Sequence, residues 1–224
     1  VHKIAGALAE SGADLDTVTD AAKAAITDMA SIGMSLDTCT VPGSVKEVRI
    51  ASGKAELGLG IHGEAGVEQV AFEGAKKAMD QVLKKLSSRL EEGSHVAILN
   101  NLGSTTPLEM SVLAHELVAS KRAKNISHII GPAPMMTSLD MHGFSISILP
   151  LNPKNKSHLE LPLALPAWPG MNKIAAARLQ PLPDGLSPIK PIPSSNPKTR
   201  ALLEQCCDLL IAAENDLNIL DAKS

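Results

Sequence analysis

Apolar positions in the first part of the chain recur at helical spacing. Ile4, Ala5, Leu8 and Ala9 share one face of a helix over residues 2–9, stopped at Gly12. A second helix is expected to start near Asp14 or Asp16, either of which can cap free backbone N–H groups. It would run through Val18, Ala22, Ile26 and Met29 to Gly33 as its C-terminal cap. Residues 34–50 look irregular or strand-like, and Pro42-Gly43 marks a turn. Residues 55–62 read as a strand that ends at His62. The clearest helix covers 72–90, with Ala75, Ala78, Met79, Val82, Leu83, Leu86 and Leu90 on one stripe. Residues 96–99 have strand length, and a loop at 100–106 leads to a helix opening near Pro107. Two further strands are expected over 126–130 and 144–151, and strands alternating with helices predict an α/β domain.

From Pro150 to Pro197 prolines crowd the chain and no period persists, which predicts an extended tail and linker. Asn196 as cap and Pro197 at the first helical position then open a last helix. Its stripe of Leu202, Leu203, Cys206, Leu209, Leu210, Ala213 and Leu217 has no neighbouring segment to cover it, so it belongs to another domain or a partner.

Composition narrows the function classes. The 224 residues are 44% hydrophobic and 20% charged, enough for one sizeable core. With no Tyr, one Trp and two Phe, that core is aliphatic and base-stacking platforms are missing. Net charge is −3 and the basic residues are scattered, which argues against nucleic acid as a partner. No apolar run approaches the roughly 20 residues that span a bilayer, and residue 1 opens without a signal-peptide profile, so a cytoplasmic protein with no membrane partner is expected. Cys39, Cys206 and Cys207 form no C-x-x-C pair and read as reduced thiols.

Gly58-Leu59-Gly60-Ile61-His62-Gly63 satisfies G-x-G-x-x-G, but here the first glycines belong to the strand and Gly63, Glu64 and Gly66 prolong a turn before any helix. A dinucleotide fingerprint needs its glycines after the strand, opening a helix on the pyrophosphate. His115-Glu116 resembles the start of H-E-x-x-H, yet Ala119 stands where the second ligand belongs. His2, His95, His128, His142 and His158 show no ligand spacing, and Lys84, Lys85, Arg89, Glu91 and Glu92 read as the solvated face of a helix. His62 differs from the other histidines because glycines flank it at a strand end, where little backbone bulk stands between a side chain and a ligand. An isolated histidine is nonetheless more often structural, and spacing takes the argument no further.

The stretch Glu56-Leu57-Gly58-Leu59-Gly60-Ile61-His62-Gly63-Glu64-Ala65-Gly66 resembles the signature turn of the dihydroxyacetone kinases. Val1-His2-Lys3-Ile4-Ala5-Gly6-Ala7, Cys39-Thr40-Val41-Pro42-Gly43, Asn100-Asn101-Leu102-Gly103 and Met136-Thr137-Ser138-Leu139-Asp140-Met141 with Gly143-Phe144-Ser145 are similar to that family in the same order, as far as Ala167-Trp168-Pro169. Ala213-Glu214-Asn215-Asp216-Leu217-Asn218-Ile219-Leu220-Asp221 resembles the first helix of the family's ATP-binding domain, in the form where both domains share one polypeptide. The resemblance implies a layered mixed sheet with helices, the second subdomain of the substrate-binding domain, over 1–172. A Pro-rich linker over 173–196 and one isolated helix over 197–224 would follow. It also implies a chain that is part of a longer kinase, since the family's first subdomain and most of its ATP-binding domain have no counterpart here.

The implied chemistry is phosphorylation of dihydroxyacetone by ATP. His62 would hold the ketone covalently as a hemiaminal, with Gly60, Gly63 and Glu64 about the substrate and Asp221 as the first of three magnesium-binding aspartates. The physics is compatible: an imidazole with its ordinary pKa near 6.5 is roughly three quarters neutral at pH 7 and able to add to a carbonyl. A covalent bond also answers a recognition problem, because a three-carbon polyol offers little apolar area to bury. Glycerol lacks the carbonyl and is rejected by the reaction itself. ATP and magnesium would be bound mainly by the further domain, and relatives commonly form homodimers through this half. The alternative implied by non-catalytic relatives is a dihydroxyacetone-binding regulator or sensor.

Overall fold

A computed structural model of the chain describes residues 1–58, 66, 68–90, 92–165, 167–175 and 196–221, with side chains in the last helix described to 216. The chain divides into two compact units, Val1–Ala176 and Ala177–Ser224.

The first unit opens with helices α1 (His2–Glu10) and α2 (Leu15–Asp28). Asp14 caps α2, its carboxylate accepting from the Thr17 N–H at 2.7 Å. The helix ends sooner than its apolar spacing suggests. Met29 already has extended backbone, and strand β1 (Ala30–Ser35) follows, so Gly33 lies inside a strand instead of capping a helix. Strands β2 (Lys54–Leu57) and β3 (Glu68–Ala71) form a hairpin. The described strand β2 stops at Leu57, because Gly58 turns out of it at φ +78, a region open to glycine. Strand β3 lies in an interval to which the sequence reading assigned no element, and the helix expected from residue 72 begins only at Ala75: α3 (Ala75–Leu86), prolonged by a 3-10 turn at Ser87–Arg89.

Strand β4 (His95–Asn101) leads to helix α4 (Pro107–Ala119). A reciprocal cap starts that helix: Thr106 Oγ1 accepts from the Glu109 N–H, and Glu109 Oε2 accepts from the Thr106 N–H at 2.8 Å. Strands β5 (Ile126–Ala133) and β6 (Gly143–Pro150) fall where the apolar runs place them. The region after Pro150 is not all extended. Helix α5 (Pro153–Glu160) and strand β7 (Met171–Lys173) lie there, with Asn152 capping the former by accepting from the Asn155 N–H at 2.7 Å.

The seven strands form one open sheet in the order β3-β2-β1-β6-β4-β5-β7. Among the described residues only the β4–β5 pair is parallel. Alternation along β4 sends Ala97 and Leu99 to one face and Val96 to the other. The first face carries the larger core, with Met79, Val82, Leu83 and Leu86 of α3 and Met110, Leu113 and Leu117 of α4 against Phe144, Ile146 and Ile148 of β6. Each such side chain contributes about 1.5–3 kcal/mol by leaving water. On the second face Ile4 of α1, Ala25 of α2 and Leu159 of α5 meet Val96, Ile130 and Leu149. The architecture is therefore the layered mixed α/β sheet with helices expected from the sequence.

The second unit contains helix α6 (Pro197–Asp221), capped by Asn196, whose Oδ1 accepts from the Lys198 N–H at 3.0 Å. Leu202, Leu203, Leu209, Leu210 and Ile211 on it are exposed. No helix among the described residues is long and apolar enough to cross a membrane.

Candidate functional site

The glycine-rich stretch singled out in the sequence is the connection of the β2–β3 hairpin, at the edge of the sheet. Leu57 and Glu68 are the last registered pair of that hairpin, so the two ends of the connection start side by side. Gly60, His62, Gly63 and Glu64 lie outside the described residues. Their flanks, Gly58 and Gly66, are described, and both are tied to neighbouring backbone or side chain. The Gly58 N–H donates to the Gly33 carbonyl of β1 at 2.7 Å. The Gly66 N–H donates to Glu56 Oε2 at 3.2 Å. Residue 66 has to be small: a Cβ there would stand 2.9 Å from the Leu57 carbonyl oxygen and 3.1 Å from Glu56 Cβ.

Glu56 is the centre of this root. It is only 3% exposed, yet both carboxylate oxygens are occupied. Arg49 Nε donates to Oε1 at 3.1 Å and Arg49 Nη2 to Oε2 at 3.0 Å, the two-pronged geometry that a guanidinium and a carboxylate favour. Gln69 Nε2, from the register partner of Glu56 on β3, donates to Oε1 at 3.2 Å. Arg49 also reaches Glu47 Oε2 at 2.9 Å. These donors, Arg49 foremost, hold the Glu56 carboxyl below the usual carboxylate range against the opposing effect of burial. Glu56 in turn raises the Arg49 guanidinium above its ordinary value. Glu56 opens the motif read in the sequence, but Arg49 and Gln69 were not singled out. Arg49 lies in a stretch without period, and no spacing rule connects it to a strand seven residues on.

A second polar group lies just before the start of β6, whose Gly143 pairs with Ser35 of β1 and so shares a row of the sheet with Glu56. His142 Nε2 is 3.0 Å from Glu109 Oε1, whose other oxygen is taken by Thr106. Thr106, before His142, keeps the Glu109 carboxyl low. Beside this pair a cavity of about 260 Å³ opens between α3, α4 and the sheet, lined by Met34, Leu36, Phe72, Leu108, Val112 and Phe144. Its walls are nearly all hydrocarbon and offer a small polyol few partners for its hydroxyls. The hairpin root is the better candidate for polyol chemistry.

Among the described residues no group of three or more His, Cys, Asp or Glu is placed to hold a metal ion. Asp221 is the last residue of α6, and its side chain is outside the described set. The described residues therefore do not assemble a nucleotide–magnesium site. Cys39 is buried, Cys206 and Cys207 are exposed, and all three are free thiols.

Comparison with known proteins adds four findings. The dihydroxyacetone kinase of Citrobacter freundii is 32% identical over 235 residues, covering 100% of this chain and 41% of that protein. The crystal structure of the C. freundii enzyme with AMP-PNP and Mg2+ superposes with a TM-score of 0.77 at 32% identity, over 100% of this chain and 42% of that one. A dihydroxyacetone kinase operon co-activator superposes with a TM-score of 0.68 at 25% identity, over 75% of this chain and 54% of the other. The chain spans about two fifths of the length of the C. freundii kinase it matches. The Dak1 domain family matches residues 1–167, and by that match and the 32% identity this chain belongs to the Dak1 family.

Proposed function

We propose that this chain supplies the ketone-capturing part of an ATP-dependent kinase acting on dihydroxyacetone or a similar small triose. The observation that carries the reading is the Glu56–Gly66 motif, set as a hairpin connection in a chain similar along its whole length to the C. freundii dihydroxyacetone kinase. A neutral imidazole nitrogen of His62 adds to the substrate carbonyl. The carbonyl oxygen takes up a proton, the other ring nitrogen gives up the one it carries, and a hemiaminal results, with no atom lost. Gly60 and Gly63 leave room for the ketone, and Glu64 orients the turn or a substrate hydroxyl. Fixing the carbonyl carbon leaves a terminal hydroxyl in one place, and such positioning supplies much of the rate in phosphoryl transfer. ATP and magnesium supply the phosphoryl group and its charge neutralisation when bound. The part assigned to residues 1–172 ends at capture and orientation. The linker over 173–196 and the helix over 197–224, with Asp221, are proposed to lead into an ATP-binding domain.

The test uses the full-length protein with dihydroxyacetone labelled with 13C at the carbonyl. The ketone resonance should move to the tetrahedral region on binding in the wild type and stay put with His62→Ala. ATP-dependent phosphorylation should follow the same pattern. Undiminished binding and turnover by His62→Ala would end this reading. The likeness to the operon co-activator favours a second one, a dihydroxyacetone-binding regulator. In that case His62 forms the adduct but no phosphate is transferred from ATP at any magnesium concentration.

A further inference from the structure

The cavity between α3, α4 and the sheet leaves about 260 Å³ open beside an interior that is otherwise closely packed. Its α3 wall is made by Ala75 and Ala78, whose methyl groups leave the space over Met34 of β1 and Phe144 of β6 unfilled. Around the opening Leu108, Val112 and Phe72 keep 76%, 43% and 38% of their surface in water. Large apolar side chains gathered at one opening mark a place where an apolar body binds. Among the described residues three polar side chains join this wall, Thr105, Glu109 and His142. Thr105 is fully engaged, since its hydroxyl donates to the Gly143 carbonyl at 2.7 Å and accepts the Gly143 N–H at 2.9 Å. Glu109 Oε2 accepts from the Thr106 N–H and hydroxyl, both at 2.8 Å, while Oε1 accepts from His142 Nε2 at 3.0 Å. That bond uses the one N–H of a neutral imidazole, so Nδ1 is left as an acceptor, and Oε1 keeps a second lone pair. The Thr106 bonds hold the Glu109 carboxyl below its ordinary range, which keeps it charged at neutral pH.

The polar edge of this apolar cavity thus presents a negative charge and acceptors, and a head group that matches it must donate. We propose that the cavity binds a small amphiphilic amine, its hydrocarbon body against Met34, Phe72, Val112 and Phe144 and its ammonium on Glu109 Oε1 and His142 Nδ1. A carboxylate head would bring acceptors to acceptors and charge to like charge, and an alcohol would supply one neutral donor. An apolar cavity of ~150 Å³ admits a benzene ring, so this one takes a body of about eight to ten carbons. The proposal does not rest on the reading of His62.

The experiment titrates the full-length protein calorimetrically with n-octylamine, n-octanol and octanoate, three probes that share a chain length and differ in the head group. Octylamine should bind with a stoichiometry of one, octanol about tenfold more weakly because its hydrogen bond to the carboxylate lacks a charged donor, and octanoate not measurably. That comparison needs no variant. Glu109→Gln, with its fold checked by thermal unfolding, should bring octylamine to the affinity of octanol. Val112→Trp fills the cavity from a half-exposed position and should abolish the binding of both. Octanoate binding as tightly as octylamine overturns the proposal, and so does wild-type octylamine affinity in Glu109→Gln. Undiminished binding by Val112→Trp overturns it too, because the amine then sits elsewhere. If the wild-type protein binds no octylamine, the opening is covered by another part of the polypeptide or by a second copy, and the proposal fails.

Discussion

The Glu56 carboxylate is buried against Arg49 and carries a pH dependence whose sign follows from the direction of its shift. Its folded-state pKa lies below the unfolded value near 4.3. The stabilisation is therefore complete above that value and is lost as pH falls through the lower, folded one. Glu56→Gln should cost about 3 kcal/mol at pH 7, because it leaves Arg49 without its partner in a largely buried setting. It should also lose less than the wild type on going from pH 5 to pH 3. Urea unfolding at both pH values checks this, and parallel acid limbs for the two proteins would contradict the assignment. Glu109 and Glu68 are depressed too, so some acid sensitivity remains in the variant. Gly66→Ala addresses the same root by sterics: the added Cβ presses on the Leu57 carbonyl oxygen, and about 1–3 kcal/mol of destabilisation is expected from overpacking.

Helix α4 shows how an element is set by a few side chains. Thr106, Pro107 and Glu109 form its start, and apolar spacing alone marks only its middle. Thr106→Ala removes one half of the reciprocal cap and should lower stability by about 1 kcal/mol with an unchanged urea m-value. An unaltered midpoint would mean the cap is idle. Where period and burial agree, as in α3, the element was legible in the sequence, since Ala78, Met79, Val82, Leu83 and Leu86 are all buried. Four elements were hidden, β7 because three residues are too few to show a period, and three more for separate reasons. Strand β3 is an edge strand with most of its residues exposed, so no alternation marks it. Helix α5 is eight residues long with Leu159 alone buried, and its Pro153 sits at the first helical position, where proline starts a helix. Strand β1 was absorbed into α2 because Met29 continues a helical spacing while its backbone is already extended. The Glu56 root was legible only in part. Its carboxylate stands in the motif, whereas Arg49 and Gln69 meet it through turn and strand pairing that no linear spacing encodes.

In the first unit the two cores lie on opposite faces of one sheet and share its central strands. Val96 and Ala97 are adjacent in β4, yet the first packs with Ile4 and Leu159 and the second with Leu83 and Leu117. Neither face can lose its helices without exposing strands whose other side is still covered, and β4 is hydrogen-bonded on both edges, to β5 and β6. That arrangement predicts one cooperative transition for the sheet and both layers. Trp168, the single tryptophan, packs against the smaller core. Its fluorescence therefore reports on the face opposite α3 and α4. Leu117→Ala, a fully buried change on α4, should cost about 2–5 kcal/mol and shift the Trp168 transition by as much as the far-UV dichroism transition. If the tryptophan signal keeps its wild-type midpoint while the dichroism moves, the layers unfold separately and the shared strands do not couple them.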